Sequence, residues 1–352
     1  MSSQVFVREK GALVVGGSAR TGTWSEEPVE ANLLDALQPG MIGATRLGRY
    51  TRLKEWQHYA VATPQHYVAV ALFDSKLAGV AQVVLLDRAS GETHVWEKTL
   101  APGSLRTPQS IYAAAMDWSD GTSHIHFENN LQNGYHKVSW DVQGKTVPAM
   151  RGDIKLIEDL SVTRPLVVCL PLGETQVRQP VMYSHKAVVP AQGSLSVDRS
   201  TASVDSAASY GLIDIHKGYY PRIMQWHWVC AGLQTPQGPW GINLTDNQVV
   251  DQTAYNENCL WRPGHIDYLP PVKFEVPPAS SPMTPWHIRS ADGAVDLTFS
   301  PVAERRLERN MLIVQNRYRS PYGMLSGTVR TAGGLYQISD YFGMCEDFWL
   351  KS

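Results

Sequence analysis

Proline and glycine interrupt this 352-residue chain 22 and 28 times, at intervals too short for long helices. Proline removes a backbone donor and clashes inside a helix, and glycine weakens one. No helical apolar period is sustained over more than about three turns. Between the breaks stand runs rich in aromatic and β-branched residues: KEWQHYAVAT from Lys54, HYVAVALFD from His66, and GVAQVVLLDRASGETHVWEK from Gly79, with a turn at Asp87–Gly91. Further runs are Val162–Pro171, MYSHKAVV from Met182, VKFEVP from Val272, MLIVQNRY from Met311 and the C-terminal YGMLSGTVRTAGGLYQISDYFGMCEDFWLK. Asp292-Gly293 and Gly333-Gly334 read as hairpin turns, and Arg305–Arg309 as a solvated strand or turn. The chain is mainly β.

The length suits two ordinary domains or one large β domain. Hydrophobic content of 43% with 18% charged residues describes a soluble globular protein. A formal net charge of −2 gives no electrostatic case for nucleic acid or an anionic membrane. No apolar run approaches the roughly 20 residues that span a bilayer, so no transmembrane segment is expected. MSSQVFVREKG lacks a signal-peptide core, and a cytoplasmic location is expected. Cys169, Cys230, Cys259 and Cys345 are widely spread and read as buried reduced thiols, not a zinc site. GGSARTGTW lacks the spacing of a phosphate loop, and no GxSxG, HExxH or dinucleotide fingerprint occurs. No metal or cofactor is expected.

SHIHFENNLQNGYHKVSW, from Ser123, is the clearest hairpin, with Asn133-Gly134 as a tight turn. That register pairs odd residues of the first strand with even residues of the second. His124 and His126 then face away from His136, which argues against a three-histidine metal site. Residues 193–209, small and polar, read as a connector between lobes 1–192 and 210–352; their valines could also form a short edge strand.

The densest mix of aromatic, carboxamide and acidic residues is Tyr210–Trp261. Within it, Ile223–Leu233 reads as a strand that begins after Pro221. Alternation puts Met224, Trp226, Trp228 and Cys230 on one face and Gln225, His227 and Val229 on the other. Buried indoles need partners for their N–H groups, and Asn243, Asn256, Glu257 and Asn258 stand near in sequence.

The ordered motifs GLIDIHKGYYPR, QWHWVCAGL, GINL, YNENCLW, PWHIRSADGAVDLTFSP, YGMLSGTV and YFGMCEDFWLK resemble the DUF2804 family, a family of unassigned function. GTWSEEP, LKEWQHYAV with Lys54 and Trp56, and SHKAVVPAQGSL with Lys186 extend the resemblance over nearly the whole chain. The sequence departs from that family at His227, where arginine is common. The family is similar to proteins built from two lipocalin-like antiparallel β-barrel lobes packed together, including carotenoid hydratases, tocopherol cyclases and pericyclase-type cyclases. The resemblance implies that architecture, an apolar pocket between or within the lobes, and a hydrophobic small molecule as ligand.

Hydratase, isomerase or cyclase chemistry on such a molecule needs an apolar cavity, an acid and aromatic faces that stabilise positive charge. Burial keeps a carboxylic acid protonated near neutral pH. The acid candidates are Asp214, Glu257 and the pair Glu346-Asp347. Asp214 and His216 lie two apart and share a face if extended; otherwise Asp214 caps a turn. In a strand over YNENCLW, Glu257 shares a face with Tyr255, Cys259 and Trp261. Expected ligand-binding residues are Trp226, His227, Trp228, Asn243, Trp261 and Trp286, with Asp214, Glu257 and His216 catalytic. His227 and the two tryptophans cannot all line one pocket, and His287 poses the same problem beside Trp286. Lys54 and Lys186 read as surface lysines with packed stems. The alternative is a non-catalytic carrier for a hydrophobic ligand, and a third possibility is a barrel filled by side chains that serves protein contacts.

Overall fold

The computed structural model describes residues 4–8, 10–173, 179–310 and 315–351. Four short strands open the chain: β1 Phe6–Val7, β2 Val14–Val15, β3 Ser18–Ala19 and β4 Gly22–Trp24. Two short helices, α1 Gly40–Ala44 and α2 Arg46–Arg52, follow. Then come β5 Lys54–Ala62, β6 His66–Asp74, β7 Gly79–Asp87, β8 Thr93–Leu100, β9 Ala114–Ser119, β10 His124–Asn130, β11 Tyr135–Val142 and β12 Met150–Ile157. Next are β13 Leu166–Pro171, β14 Val181–Val197, β15 Ser200–Val204 and β16 Tyr210–Gly218. The second half holds β17 Ile223–Thr235, β18 Gly238–Asp246, β19 Cys259–Arg262, β20 His265–Tyr268, β21 Val272–Glu275, β22 Trp286–Ser290, β23 Val295–Asn310, β24 Gln315–Thr331 and β25 Gly334–Lys351. The first four residues of the MLIVQNRY run lie outside the described residues.

These strands form two curled antiparallel lobes. The first sheet runs β8-β7-β6-β5-β16-β14-β12-β11-β10-β9, and the second β20-β19-β18-β17-β25-β24-β23-β22-β21. Apolar residues at alternate positions fill each interior, as the two-residue period dictates. Val70, Val83, Phe127, Trp140 and Ile213 pack inside the first lobe, and Trp286, Phe299, Leu325 and Ile338 inside the second. Burying each such side chain contributes roughly 1.5–3 kcal/mol. The ends of the first sheet meet through side chains: Trp96 and Trp118 have ring centroids 5.5 Å apart, and Lys98 pairs with Asp120.

A third apolar layer lies between the lobes and includes Ala60, Val188 and Leu212 from one side and Trp228, Phe342 and Met344 from the other. Polar ties cross the same boundary. The Tyr210 hydroxyl donates to the Phe342 carbonyl and accepts from Gly232 N–H at 3.1 Å. Arg305 donates to Glu97 at 2.6 Å and to Gln82 at 3.2 Å, so the charged stretch is partly an inter-lobe contact.

Two expectations are corrected. Residues 193–209 follow the alternative their valines allowed, strand with a short edge strand, and not the connector. Gly193–Val197 of β14 pairs with β12 and β15, and β16 is a central strand of the first sheet. The chain leaves the first lobe at residues 219–222, not at 192. Leu195 and Val204 point into the core while small hydroxyl residues face out, so the alternation is present but carries little bulk. Gly193 adopts φ +145°, and a Cβ there would stand 2.0 Å from the Asp153 carbonyl oxygen. The β10–β11 turn is also wider than two residues: a 3-10 turn over Leu131–Asn133 ends at left-handed Gly134. The register moves by two, which preserves parity. Asn129 opposes His136, and His124 and His126 face the other way.

His136 points into the lobe and starts a buried chain. Its Nε2 meets Glu158 at 2.9 Å; His185 Nε2 meets the other Glu158 oxygen at 2.9 Å, and His185 Nδ1 meets Glu27 at 2.7 Å. The Tyr183 hydroxyl donates to Glu27. Both His185 nitrogens face carboxylate oxygens, so both carry protons. Burial lowers its pKa, but Glu158 and Glu27 reverse that and raise it to about 10. Burial works to raise Glu158, and the two histidines overcome it and bring it to about 2.

The pH dependence follows from these directions. The His185 contribution to stability is complete below about 6.5 and declines as pH rises to about 10. The Glu158 contribution is complete above about 4.5 and declines as pH falls toward 2. Urea titrations between pH 6.5 and 10 should show a shallower alkaline loss of stability in the His185→Gln/Glu158→Gln double variant than in the parent. The difference should be at most about 1.4 kcal/mol per pH unit, and equal slopes would refute the charged state assigned to His185.

Candidate functional site

β16 throughout and β14 over residues 181–189 are buried on both faces, because one face closes the first lobe and the other meets the second; β5 beside them is buried on its lobe face and only partly buried at Lys54, Trp56 and His58. Cross-strand register sets two rows on the inter-lobe face. Ser184, His216 and Trp56 form one row; Lys186, Asp214 and His58 form the next. Asp214 and His216 therefore share a face on an extended strand, and Asp214 caps no turn.

Lys186 Nζ lies 2.9 Å from Asp214 Oδ1, with both side chains almost wholly buried. The ammonium also stands 4.6 Å from the Trp228 ring centroid. Trp56 Nε1 donates to Asp214 Oδ2 at 3.1 Å. Burial works to raise the Asp214 carboxyl, but Lys186 and the two neighbouring histidines hold it below its ordinary value. The reading of Lys186 as a surface lysine is thus overturned: it is the charge partner that keeps Asp214 ionised.

His216 bonds on both sides, Nδ1 with the Ser184 hydroxyl at 2.7 Å and Nε2 with the Tyr220 hydroxyl at 2.6 Å. Its ring stacks on Trp56 with centroids 3.8 Å apart. Burial lowers His216 to about 3 and His58 to about 4, in each case against the pull of Asp214. Both are neutral near pH 7.

The second lobe supplies the opposite wall. Trp226, Trp228 and Cys230 of β17 face the first lobe, as alternation predicts. Trp228 Nε1 donates to Asn243 Oδ1 at 2.7 Å, and Asn243 donates to the Glu257 carbonyl at 2.6 Å. Residues 255–258 precede β19 and are not a strand, so the face argument for Glu257 does not hold. Glu257 is buried all the same. Burial raises its pKa, and Lys186 and Ser184 oppose this without overcoming it. Glu346 accepts from Trp226 Nε1 and from the Tyr318 hydroxyl, both at 2.8 Å. Burial raises Glu346 as well. Trp56, His58, Tyr220, Trp226, Tyr318 and Glu346 all keep partial solvent access at the lobe boundary.

The structure thus brings together Asp214, His216, Glu257, Trp226, Trp228 and Asn243. Trp261 lies in the apolar layer between the lobes. His227 and Trp286 are elsewhere. His227 sits on the other face of β17, half-buried and 3.4 Å from Asp347. Trp286 is wholly buried in the second-lobe core, with Arg319 over its ring. Trp56, His58, Ser184, Lys186 and Tyr220 join the cluster without having been assigned to it, and Glu346, an acid candidate on sequence grounds, lies at its edge. The polar Ser-His-Lys run inside an apolar strand was the available signal, since both faces of a two-sided strand need partners for such groups. Two surface clefts, of about 450 and 280 Å3, open on the first lobe away from this cluster, one beside Trp118 and His126, the other beside His66 and Leu195. The four cysteines are free and buried. No helix among the described residues is long and apolar enough to cross a membrane.

Two lipocalin-like lobes packed across a polar, aromatic-lined junction define a mainly β protein of two antiparallel half-barrel sheets. The chain belongs to the DUF2804 family, described as a domain of unknown function, whose model matches residues 2–351. Its fold is similar to that of kievitone hydratase from Nectria haematococca, at 14% identity and a TM-score of 0.54, covering 92% of this chain and 96% of that one. It is also similar to CghA bound to Sch210972, at 13% identity and a TM-score of 0.53, covering 86% and 89%. A search of curated proteins finds no match.

Removing one partner of the buried pair leaves an unpaired charge. Asp214→Ala is expected to lower the unfolding free energy by about 3–5 kcal/mol in urea titration. The double replacement Lys186→Met/Asp214→Leu should cost distinctly less, and a single variant as stable as the parent would refute the ion pair.

Proposed function

We propose that this protein is a cofactor-independent acid–base enzyme, of the hydratase, isomerase or cyclase type, acting on a hydrophobic small molecule at the junction of the lobes. One observation carries the reading: a single cluster holds two carboxyl groups pushed in opposite directions, Asp214 ionised beside Lys186 and Glu257 raised by burial. Separated carboxyl pKa values are how one site presents an acid and a base at the same pH. Asp214 or Glu257 could be the proton donor on sequence grounds. The Lys186 partnership argues against Asp214 in that role and, of the two, favours Glu257.

Glu257 is the proton donor in this reading. The ionised Asp214 carboxylate is the base that takes the returning proton, and neutral His216, bonded to Ser184 and Tyr220, positions the Tyr220 hydroxyl. Asp214 also positions Trp56 through its indole N–H. Trp226 and Trp228 supply aromatic faces for positive charge that develops on the substrate. Sharing a fold with a hydratase supports the reaction class by analogy alone, because one fold hosts many chemistries. A carrier would need no acid at the junction, and burying a carboxyl there is costly unless it is paired, hydrogen-bonded or protonated.

The test starts with native mass spectrometry and organic extraction of the freshly purified protein, which should yield an apolar small molecule. Incubated with the protein in deuterium oxide, that molecule should gain deuterium at carbon. Glu257→Gln should slow the exchange by about 10²–10⁴-fold while the molecule still binds. Unchanged exchange in Glu257→Gln would overturn the acid assignment; binding without any exchange would favour the carrier.

A further inference from the structure

Two indoles from different lobes meet at the boundary. Trp56 of β5 and Trp226 of β17 have ring centroids 6.1 Å apart and planes within 26° of parallel. Each ring is fixed by other groups. Trp56 is tied by its N–H to Asp214 and stacked on His216, whose centroid is 3.8 Å away. Trp226 is tied by its N–H to Glu346 and stacked on Phe348 at 4.1 Å, 15° from parallel. The two restraints on each indole set its plane, and both rings keep partial solvent access, whereas Trp228 and Trp261 close by are 4% and 3% exposed.

We propose that Trp56 and Trp226 form a clamp that takes a flat, conjugated, uncharged ring between the two lobes. The inference rests on reading the junction as the ligand site and adds the shape and charge of what enters. A ring stacked on both indoles needs about 7 Å between them, two contacts of about 3.5 Å each. With centroids 6.1 Å apart the two indoles must part before a ring enters, and they stand on lobes that the chain joins by a single crossing at residues 219–222. A puckered saturated ring is thicker and demands a larger opening. Charge selects in the same direction. The Asp214 carboxylate at the Trp56 end is already paired with Lys186, and that ammonium is taken up by Asp214 and the Trp228 face. Neither a cation nor an anion finds an unpaired counter-charge there. Tyr220, 6.1 Å from Trp226 and 5.9 Å from His216 by ring centroids, stands at one edge where a ring oxygen can meet its hydroxyl.

The experiment is calorimetric titration of the full chain with 2-naphthol and with trans-decahydro-2-naphthol, which share a carbon skeleton and a hydroxyl but differ in flatness. 2-Naphthol should bind about tenfold more tightly. Trp56→Leu and Trp226→Leu should each weaken it by about three- to tenfold, and the corresponding phenylalanine variants should keep most of the affinity. The phenylalanine variants also guard against loss by misfolding. Trp240→Leu, on a ring paired with Tyr336, should change nothing. Equal affinity for the two alcohols, leucine variants that bind like the parent, or no heat from 2-naphthol at millimolar concentration would each overturn the clamp. Failure of the acid–base reading shows separately, as deuterium exchange that survives Glu257→Gln whatever the naphthol affinity.

Discussion

Two adjacent strands, β16 and the 181–189 part of β14, are buried on both faces, and the rest of the structure depends on that constraint. A strand in such a position has no solvent side on which to hide a polar residue. Each charged group it carries must find a partner in one of two dry layers. Lys186 and Asp214 pair on the inter-lobe face; Lys217 and Glu55, 2.7 Å apart, pair on the other. His185, one residue from Lys186, points the opposite way into the Glu27 and Glu158 carboxylates. A one-residue slip would exchange the two sets and strand every charge. Register, ion pairing and lobe docking are thus one solution.

The same constraint explains why ionisable and aromatic groups collect at the junction. The first lobe contributes an ionised carboxylate, a lysine and two neutral histidines from its sheet face. The second contributes two raised carboxyls and a row of rings. In this cluster the ionised carboxylate comes from one lobe and the raised carboxyls from the other. Docking desolvates them together, which separates their pKa values and strengthens each electrostatic contact.

Much of the fold was legible because β alternation is local. The sequence around Ile223–Thr235 separates Trp226 and Trp228 from His227, and the structure keeps that separation. The hairpin parity that set His136 apart from His124 and His126 survived an error in turn length, since a shift of two leaves each face unchanged. Asp214 and His216 share a face for the same reason. The connector at 193–209 was misread because its outward positions are serine and threonine, which look alike in a loop and on an exposed strand face.

By itself, then, the chain determined its class, its strands and which neighbours point together, because those follow from two-residue periodicity and turn chemistry. Only the tertiary structure decided what each face meets. Lys186 is buried because the second lobe covers its strand; Trp286 is core because its face points into the second lobe. Asp214 and Glu257 look alike in sequence and differ in charge because one lies against an ammonium and the other is governed by burial. Contact between residues far apart along the chain sets that difference, and no local pattern encodes it.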